Sequence, residues 1–318
     1  MDWSLFHTLL SFDSTSGKER EVAEWLLQTL KAPDKKAMEV GDGTLNLLFS
    51  WGTPRVVFCS HMDTVPPYIP PTFEEDVVKG RGSCDAKGQI FAMYTACKEL
   101  EAKGCTDFGL LLLAGEETGS WGAKAFSKTG FTAPFLIVGE PTENKMVSAS
   151  KGTLSYDLKF SGEAFHSGYP QYGVSAVELF NEFYNRLKAQ DWGLDPELGE
   201  TTWNVGLLHS DNPQNILSPE LTCRIYFRTT FVSHEKVKAW MKEGTLRGGD
   251  TPAHYVTLDG FESAPVAFGS DAPHLTGFGH KIICGPGSIR VAHRPEEHIL
   301  VADLEKAVAL YVKMYQSL

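Results

Sequence analysis

The sequence predicts an α/β fold: a mostly parallel sheet flanked by helices, interrupted by an inserted α+β domain of ferredoxin-like topology. Three observations predict it. Up to about residue 150, short unbroken apolar runs (RVVFCS, FGLLLLAG, FLIVG) alternate with helical segments, as strands buried on both faces do. From about Lys151 the strand-like segments alternate polar and apolar residues instead, the pattern of half-exposed strands. After about Phe261 the buried-strand signature returns in KIICGPG. The expected boundaries are 1–151 and 262–318 for the outer domain and 152–261 for the insertion.

The elements follow in order. Asp2 to Leu10 opens the chain as a helix, and Ser16 followed three residues later by Glu19 has the form of a capping box for the next one. The strand RVVFCS, the helix AKGQIFAMYTACKELEAKG, the strand FGLLLLAG, a helix near WGAKAFSKTG and the strand FLIVGE complete the first stretch. In the insertion TLSYDLKFSGEA, TTWNVGLLHS and LTCRIYFRTT read as strands, and GVSAVELFNEFYNRLKAQ and SHEKVKAWMKEG as helices. HYVTLDGF reads as the fourth strand, giving the order β-α-β-β-α-β. The helix ADLEKAVALYVKMYQSL closes the chain.

Composition narrows the function. The 318 residues suffice for two domains of about 150 residues each. With 29 Lys plus Arg against 40 Asp plus Glu, the net charge of −11 repels nucleic acid and anionic membranes, so neither is expected as a partner. The six cysteines form no C-x-x-C pair and lie in apolar or helical stretches, which reads as buried thiols in a reducing compartment. The N-terminus has no basic region followed by a cleavage site, and the run FGLLLLAG is far short of a bilayer span, so a cytoplasmic location is expected.

The chemistry gathers where strands end. RVVFCS runs into His61-Met62-Asp63, at the carboxyl end where open α/β sheets place ligands. By itself His-x-Asp is equally a histidine bonded in a turn. As a metal site it makes sense, because a ligating imidazole needs its other nitrogen oriented by a carboxylate such as Asp63. Asp85, in GRGSCDAKGQ, stands between a glycine-rich turn and a helix start, where a helix cap is the bland alternative. FGLLLLAG delivers two adjacent acids, Glu116 and Glu117, which repel each other unless a cation or a shared proton intervenes. FLIVG delivers Glu140, and GPGSIRVAHRPEEH adds His293 after a glycine-proline turn. Nitrogen and oxygen donors without cysteine suit zinc, cobalt or manganese, and this supply suits two ions sharing a carboxylate, with one acid left over as general base.

These motifs resemble the di-zinc exopeptidases and deacylases that include acetylornithine deacetylase, succinyl-diaminopimelate desuccinylase and bacterial glutamate carboxypeptidase. The resemblance spans essentially the whole chain through SHMDTVP, GRGSCDAKGQ, LLLLAGEETGS, IVGEPT and AHRPEEH. It implies that His61 and Glu140 hold one metal, Glu117 and His293 the other, and that Asp85 bridges them across a cis Asp85–Ala86 peptide. It makes Glu116 the general base and Asp63 the orienting partner of His61. In the insertion, GEAFHSGYP is similar to the segment whose histidine, here His166, polarises the scissile carbonyl, in dimeric relatives from the partner subunit. NPQNILSPE makes Asn215 a substrate contact, and RIYFRTT makes Arg228 a carboxylate binder, with Tyr226 where many relatives have aspartate. FGSDAPHL, with Ser270 and Asp271, resembles a substrate-side loop; Ser270 is the expected contact.

The function the resemblance implies is metal-dependent hydrolysis of a linear amide bond, with two divalent ions, zinc first and cobalt or manganese as alternatives. The expected substrate is an N-acyl amino acid in a biosynthetic, acetylornithine deacetylase-like reaction, because the chain is short for the family. Dipeptidase, aminopeptidase or carboxypeptidase action at the same site is the alternative; phosphoester hydrolysis and a non-catalytic binder are the other classes. A homodimer through the insertion is the expected assembly.

Overall fold

The computed structural model describes residues 1–41 and 43–318. Two compact units divide the chain: Met1–Ser148, Tyr255–Ala264 and Ser270–Leu318 form one, and Ala149–His254 with Pro265–Gly269 the other.

The first unit is built on a six-stranded sheet in the order Asp34–Glu39, Leu45–Trp51, Phe108–Leu113, Val56–His61, Ala133–Val138, Phe278–Ile283. Val56–His61 runs parallel to both of its neighbours, and Phe278–Ile283 is parallel to Ala133–Val138. Leu45–Trp51 alone opposes its neighbours. The sheet is mostly parallel because its central strands, VVFCSH and FGLLLL, are buried along their whole length and require cover on both faces. Helices Lys87–Ala102 and Val301–Ser317 pack together as part of that cover. Tyr311 sets its ring edge-on to Phe58 at 5.8 Å and donates its hydroxyl to the Cys284 carbonyl at 3.0 Å. Register decides what happens at the sheet's carboxyl edge: His61 lies beside Leu113 and Cys59 beside Val138, so the residues that follow all three strands leave on the same side.

The second unit has the expected β-α-β-β-α-β order. Its sheet runs Thr202–His209, Glu220–Thr229, Gly152–Ser161, Thr245–Gly248, antiparallel throughout. Leu221, Cys223, Ile225 and Phe227 face a core that includes Phe183 and Leu187 of helix Ala176–Lys188 and Val237 of helix His234–Trp240. Arg224, Tyr226 and Arg228 alternate with them and stay partly or fully exposed.

Two local expectations fail. The Ser16–Glu19 capping box does not form: helix Arg20–Thr29 starts without a side-chain cap bond. Ser16 Oγ instead donates to Asp63 Oδ2 at 2.8 Å, and the Glu19 carboxylate accepts the N–H groups of Gly17 at 2.8 Å and Gly115 at 3.2 Å. Glu19 is fully buried, so its oxygens are used on buried loop amides rather than on a helix end that water can satisfy. The fourth strand of the second sheet is Thr245–Gly248, not HYVTLDGF. The alternation in HYVTLDGF serves the first unit: Val256 donates its N–H to the Lys281 carbonyl at 2.9 Å, and Val256, Leu258 and Phe261 pack on the first core. The sequence reading also lacked the strands Asp34–Glu39 and Leu45–Trp51, the first because DKKAME is charged and largely exposed at the sheet edge.

All six cysteines are free, and all but Cys105 are buried. Among the described residues no helix is long and apolar enough to cross a membrane.

Candidate metal centre

His61 is the last residue of its strand and is buried. Its Nδ1 sits 2.9 Å from the Asp63 carbonyl and 3.3 Å from Asp63 Oδ1, and its Nε2 is 3.2 Å from Asp85 Oδ1. Asp85 arrives from the glycine-rich loop before helix Lys87–Ala102, and its peptide bond to Ala86 is cis. Its other oxygen, Oδ2, lies 3.3 Å from His293 Nε2, which is 2.9 Å from Glu117 Oε1. One donor atom each from His61, Asp85 and Glu117 fall within 4.8 Å of one another.

The turn after Phe108–Leu113 presents Glu116 and Glu117 through a specific backbone path. Gly115 adopts φ 67, and a Cβ there would lie 1.8 Å from the Trp121 ring, so only glycine fits. Asp63 then fixes the turn by accepting the Glu116 N–H at 3.0 Å and the Glu117 N–H at 3.1 Å. Asp63 thus orients His61 and also sets the direction in which the two glutamates leave the sheet. Glu140 follows Ala133–Val138, is buried, and interacts electrostatically with Glu116, His61 and Asp85.

Charge is the dominant feature. Burial would raise Asp63 and Asp85, but the bonds from His61 to Asp63, and from His293 and His61 to Asp85, hold both carboxyls below the usual range. Burial pushes the carboxyls of Glu116, Glu117 and Glu140 up, reinforced by neighbouring acids that include Asp85 in each case. Asp85 and Glu117 push the His293 imidazolium up to about 10, and Asp63 and Asp85 raise His61 against its burial. Among the described residues Glu140 Oε1 and Asp271 Oδ1, both buried, have no hydrogen-bond partner. An oxygen-and-imidazole donor set with excess negative charge and an orphaned buried carboxylate oxygen fits a divalent cation.

The other expected residues fall outside this cluster's bonds. Ser270 is buried, and its Oγ accepts the Ala272 N–H at 3.3 Å, closing a short 3-10 turn. Its neighbour Asp271 carries the unsatisfied atom, and burial pushes its carboxyl up to about 6. In the second unit His166 pairs as an isolated bridge with Ile216, and the Ser167 N–H donates to the Asn215 carbonyl at 2.9 Å, so His166 and Asn215 share one exposed pair of loops. Arg228 lies on Glu220–Thr229 with its guanidinium 5.0 Å from the centre of the Tyr226 ring.

Sequence reasoning did not single out Arg81 or Glu297, and it read Glu19 only as a helix cap. Arg81 and Glu297 form a fully buried ion pair at 2.5 Å. The available signal was a pair of opposite charges inside GRGSCD and HRPEEH, two segments already singled out for their neighbours.

A parallel-sheet edge that converges imidazoles and carboxylates on a common point is a candidate centre for divalent cations. Residues 57–317 match peptidase family M20/M25/M40, and the chain belongs to that family. A probable carboxypeptidase of Aspergillus oryzae is 31% identical over an alignment of 372 residues covering 99% of this chain and 86% of its own. Among solved structures, a tripeptidase from Staphylococcus aureus superposes with a TM-score of 0.81 at 19% identity, covering 98% of this chain and 96% of its own. An aminopeptidase from Bacillus cereus gives 0.78 at 21% identity, covering 99% and 97%. The two solved structures share the fold. The chain is a hydrolase that acts on amide bonds.

The protonation pattern makes a prediction about metal loading. With its imidazolium pushed up to about 10, His293 is protonated at pH 7 in the metal-free protein, and the raised His61 adds to this, whereas ligation requires neutral imidazoles. Calorimetric titration of the apoprotein with zinc in buffers of different ionisation enthalpy should therefore register net proton release at pH 7. The release should shrink as pH approaches about 10, where His293 gives up its proton unaided. Zinc uptake without proton release at pH 7 would contradict the assignment.

Proposed function

We propose that this protein is a metallo-exopeptidase of the carboxypeptidase type, cleaving the amide bond next to a residue with a free α-carboxylate. The observation that carries the reading is the convergence of His61, Asp85, Glu117 and His293 around Glu116 and Glu140. His61 and Glu140 would hold one divalent ion and Glu117 and His293 a second, with Asp85 shared. Zinc suits this donor set, with cobalt or manganese as alternatives. The ions supply Lewis acidity to the attacking water and the scissile carbonyl.

Glu116 acts as the proton carrier. Its carboxylate takes a proton from the water as the C–O bond forms and delivers it to the nitrogen as the C–N bond breaks, leaving an acid and a free amine. Burial pushes this carboxyl up, which strengthens it as a base toward the attacking water. Asp63 holds the Glu116 backbone and the His61 ring, so it positions both without entering the reaction.

Arg228 supports a substrate with a free carboxylate. On the same strand Arg224 is held bidentately by Asp157, which Arg247 also approaches at 3.4 Å. Among the described residues Arg228 makes no ion pair and rests on the Tyr226 ring, leaving its donors for an anion. Asn215 and Ser270 are further substrate contacts in this reading. The Aspergillus relative's description as a probable carboxypeptidase favours a peptide over an N-acetyl amino acid. An N-acyl amino acid offers the same amide and carboxylate, so deacylation remains the second reading.

The test is a metal-supplemented panel of N-blocked dipeptides, free dipeptides, their C-terminal amides, and N-acetyl and N-succinyl amino acids. N-blocked dipeptides with a free C-terminus should be cleaved, and C-terminal amidation should lower kcat/KM roughly 10- to 100-fold, the loss of one charge-assisted contact. Glu116→Gln should lower kcat by roughly 10² to 10⁴ with metal content unchanged. A strict requirement for a free α-amino group with indifference to amidation would replace this reading with an aminopeptidase.

The second unit, expected over 152–261, is assigned a dimerising role in which His166 completes the oxyanion-stabilising group of a partner's site. Support comes from the large side chains exposed on the His166 and Asn215 loops, Phe165, Tyr169, Tyr172 and Ile216, with the Phe165 and Tyr172 rings 5.5 Å apart. Mixing inactive His166→Ala with inactive Glu116→Gln under subunit exchange should restore partial activity, since one hybrid site keeps both groups. Exchange without recovery would place His166 in its own chain's reaction or outside it.

A further inference from the structure

The bridging position of Asp85 depends on a carboxylate that lies outside the ligand set. Glu297 Oε1 accepts the backbone N–H groups of Gly82 at 2.9 Å, Cys84 at 3.1 Å and Asp85 at 3.0 Å. Its other oxygen, Oε2, accepts from Arg81 Nη1 at 2.5 Å. Arg81 is tied down in turn, donating to the carbonyls of Pro67 and Arg294 at 3.3 Å each. A small antiparallel pairing sets this up: His298–Leu300 lies along Val77–Lys79, and the Gly80 N–H donates to the Glu297 carbonyl at 3.0 Å. That register delivers the Glu297 side chain to the inside of the loop leading to Asp85.

The loop is shaped for this occupant. Gly82 has φ 84, and a Cβ there would press on Thr64 and Lys87 at 3.0 and 3.1 Å. Its amides turn inward around one oxygen, the concave arrangement by which backbone N–H groups hold anions. An ion pair needed only for stability would use Arg81 and leave those amides to other partners. Here a single oxygen organises the residues immediately before the ligand, while its own chain segment carries the second ligand: Glu297 closes the turn after His293 through its N–H to the Arg294 carbonyl at 3.2 Å.

We propose that Glu297, anchored by Arg81, is a positioning residue for the metal centre, holding the Asp85 loop and the His293 turn in one fixed relation and thereby setting the affinity for divalent ions. The inference rests on the reading of the cluster as a metal site. It goes beyond that reading in making metal affinity depend on a side chain that supplies no ligand atom. Partners outside the ligand set of this kind are worth roughly 10- to 100-fold in metal affinity.

Two variants test it. Glu297→Gln keeps the shape and one acceptor oxygen but leaves Arg81 without its counter-charge. The double variant Arg81→Met with Glu297→Leu removes the buried charge and the acceptor together, so it avoids an unpaired buried ion. Each apoprotein is checked by circular dichroism and thermal melting, then titrated with cobalt(II) against a competing chelator while the visible absorption bands are recorded. The expected result is a folded apoprotein whose cobalt affinity is roughly 10- to 100-fold weaker than wild type with altered bands, more so in the double variant. Saturating metal should bring kcat back toward wild type in Glu297→Gln with KM unchanged. Cobalt affinity within twofold of wild type and identical bands, in whichever variant folds, overturns the inference, as does failure of both apoproteins to fold. Wild-type protein that takes up no cobalt overturns the metal reading and this inference with it.

Discussion

Several carboxylates buried at the carboxyl edge of a parallel sheet impose the constraint on which the rest of this structure depends. Asp63, Asp85, Glu116, Glu117, Glu140 and Asp271 all interact with the His61 imidazole, and His293 stands beside Asp85 and Glu117. Like charges in a poorly hydrated site cannot all ionise without compensation. Without metal, burial and neighbouring acids shift Glu116, Glu117, Glu140, His61 and His293 toward their protonated forms. In the proposed reading divalent cations would offset the same conflict more completely, making the cluster a set of ligands and leaving Glu116 to exchange protons with water.

Around this cluster a layer of hydrogen bonds spends polar groups on position rather than on stability. Asp63 takes the amides of Glu116 and Glu117, Glu19 takes the amide of Gly115, and Glu297 takes those of Gly82, Cys84 and Asp85. In each case a buried carboxylate satisfies loop amides that would otherwise be orphaned, and the loop in return acquires a single conformation. The parallel sheet brings the candidate ligands to one edge, and these carboxylates decide which way they face.

The central strands and the acids and imidazole at their ends were legible in the sequence because both follow from local pattern. An unbroken run such as FGLLLL can only be buried, and an acid pair at its end has no inexpensive apolar explanation. The ferredoxin-like order was legible for the same reason, through the alternation in LTCRIYFRT. What the sequence concealed was set by tertiary partners. Ser16 and Glu19 have the spacing of a helix cap, yet Asp63 and Gly115 compete for them successfully. HYVTLDGF alternates like a strand of the second sheet but bonds to Lys281 of the first unit. Arg81 and Glu297 are far apart in the chain, and only the pairing of His298–Leu300 with Val77–Lys79 reveals that they meet. Tyr226 gives the same lesson for Arg228, since the ring under the guanidinium depends on two side chains of one strand face choosing each other.

The central claim is that five residues from five separate segments form one dinuclear centre. Anomalous diffraction at the zinc edge from crystals of the zinc-loaded protein tests it most directly. The account predicts two peaks roughly 3.5 to 4 Å apart, one against His61 and Glu140, the other against Glu117 and His293, with Asp85 between them. No peak at this cluster, or a single peak with His293 and Glu140 both uninvolved, would contradict it.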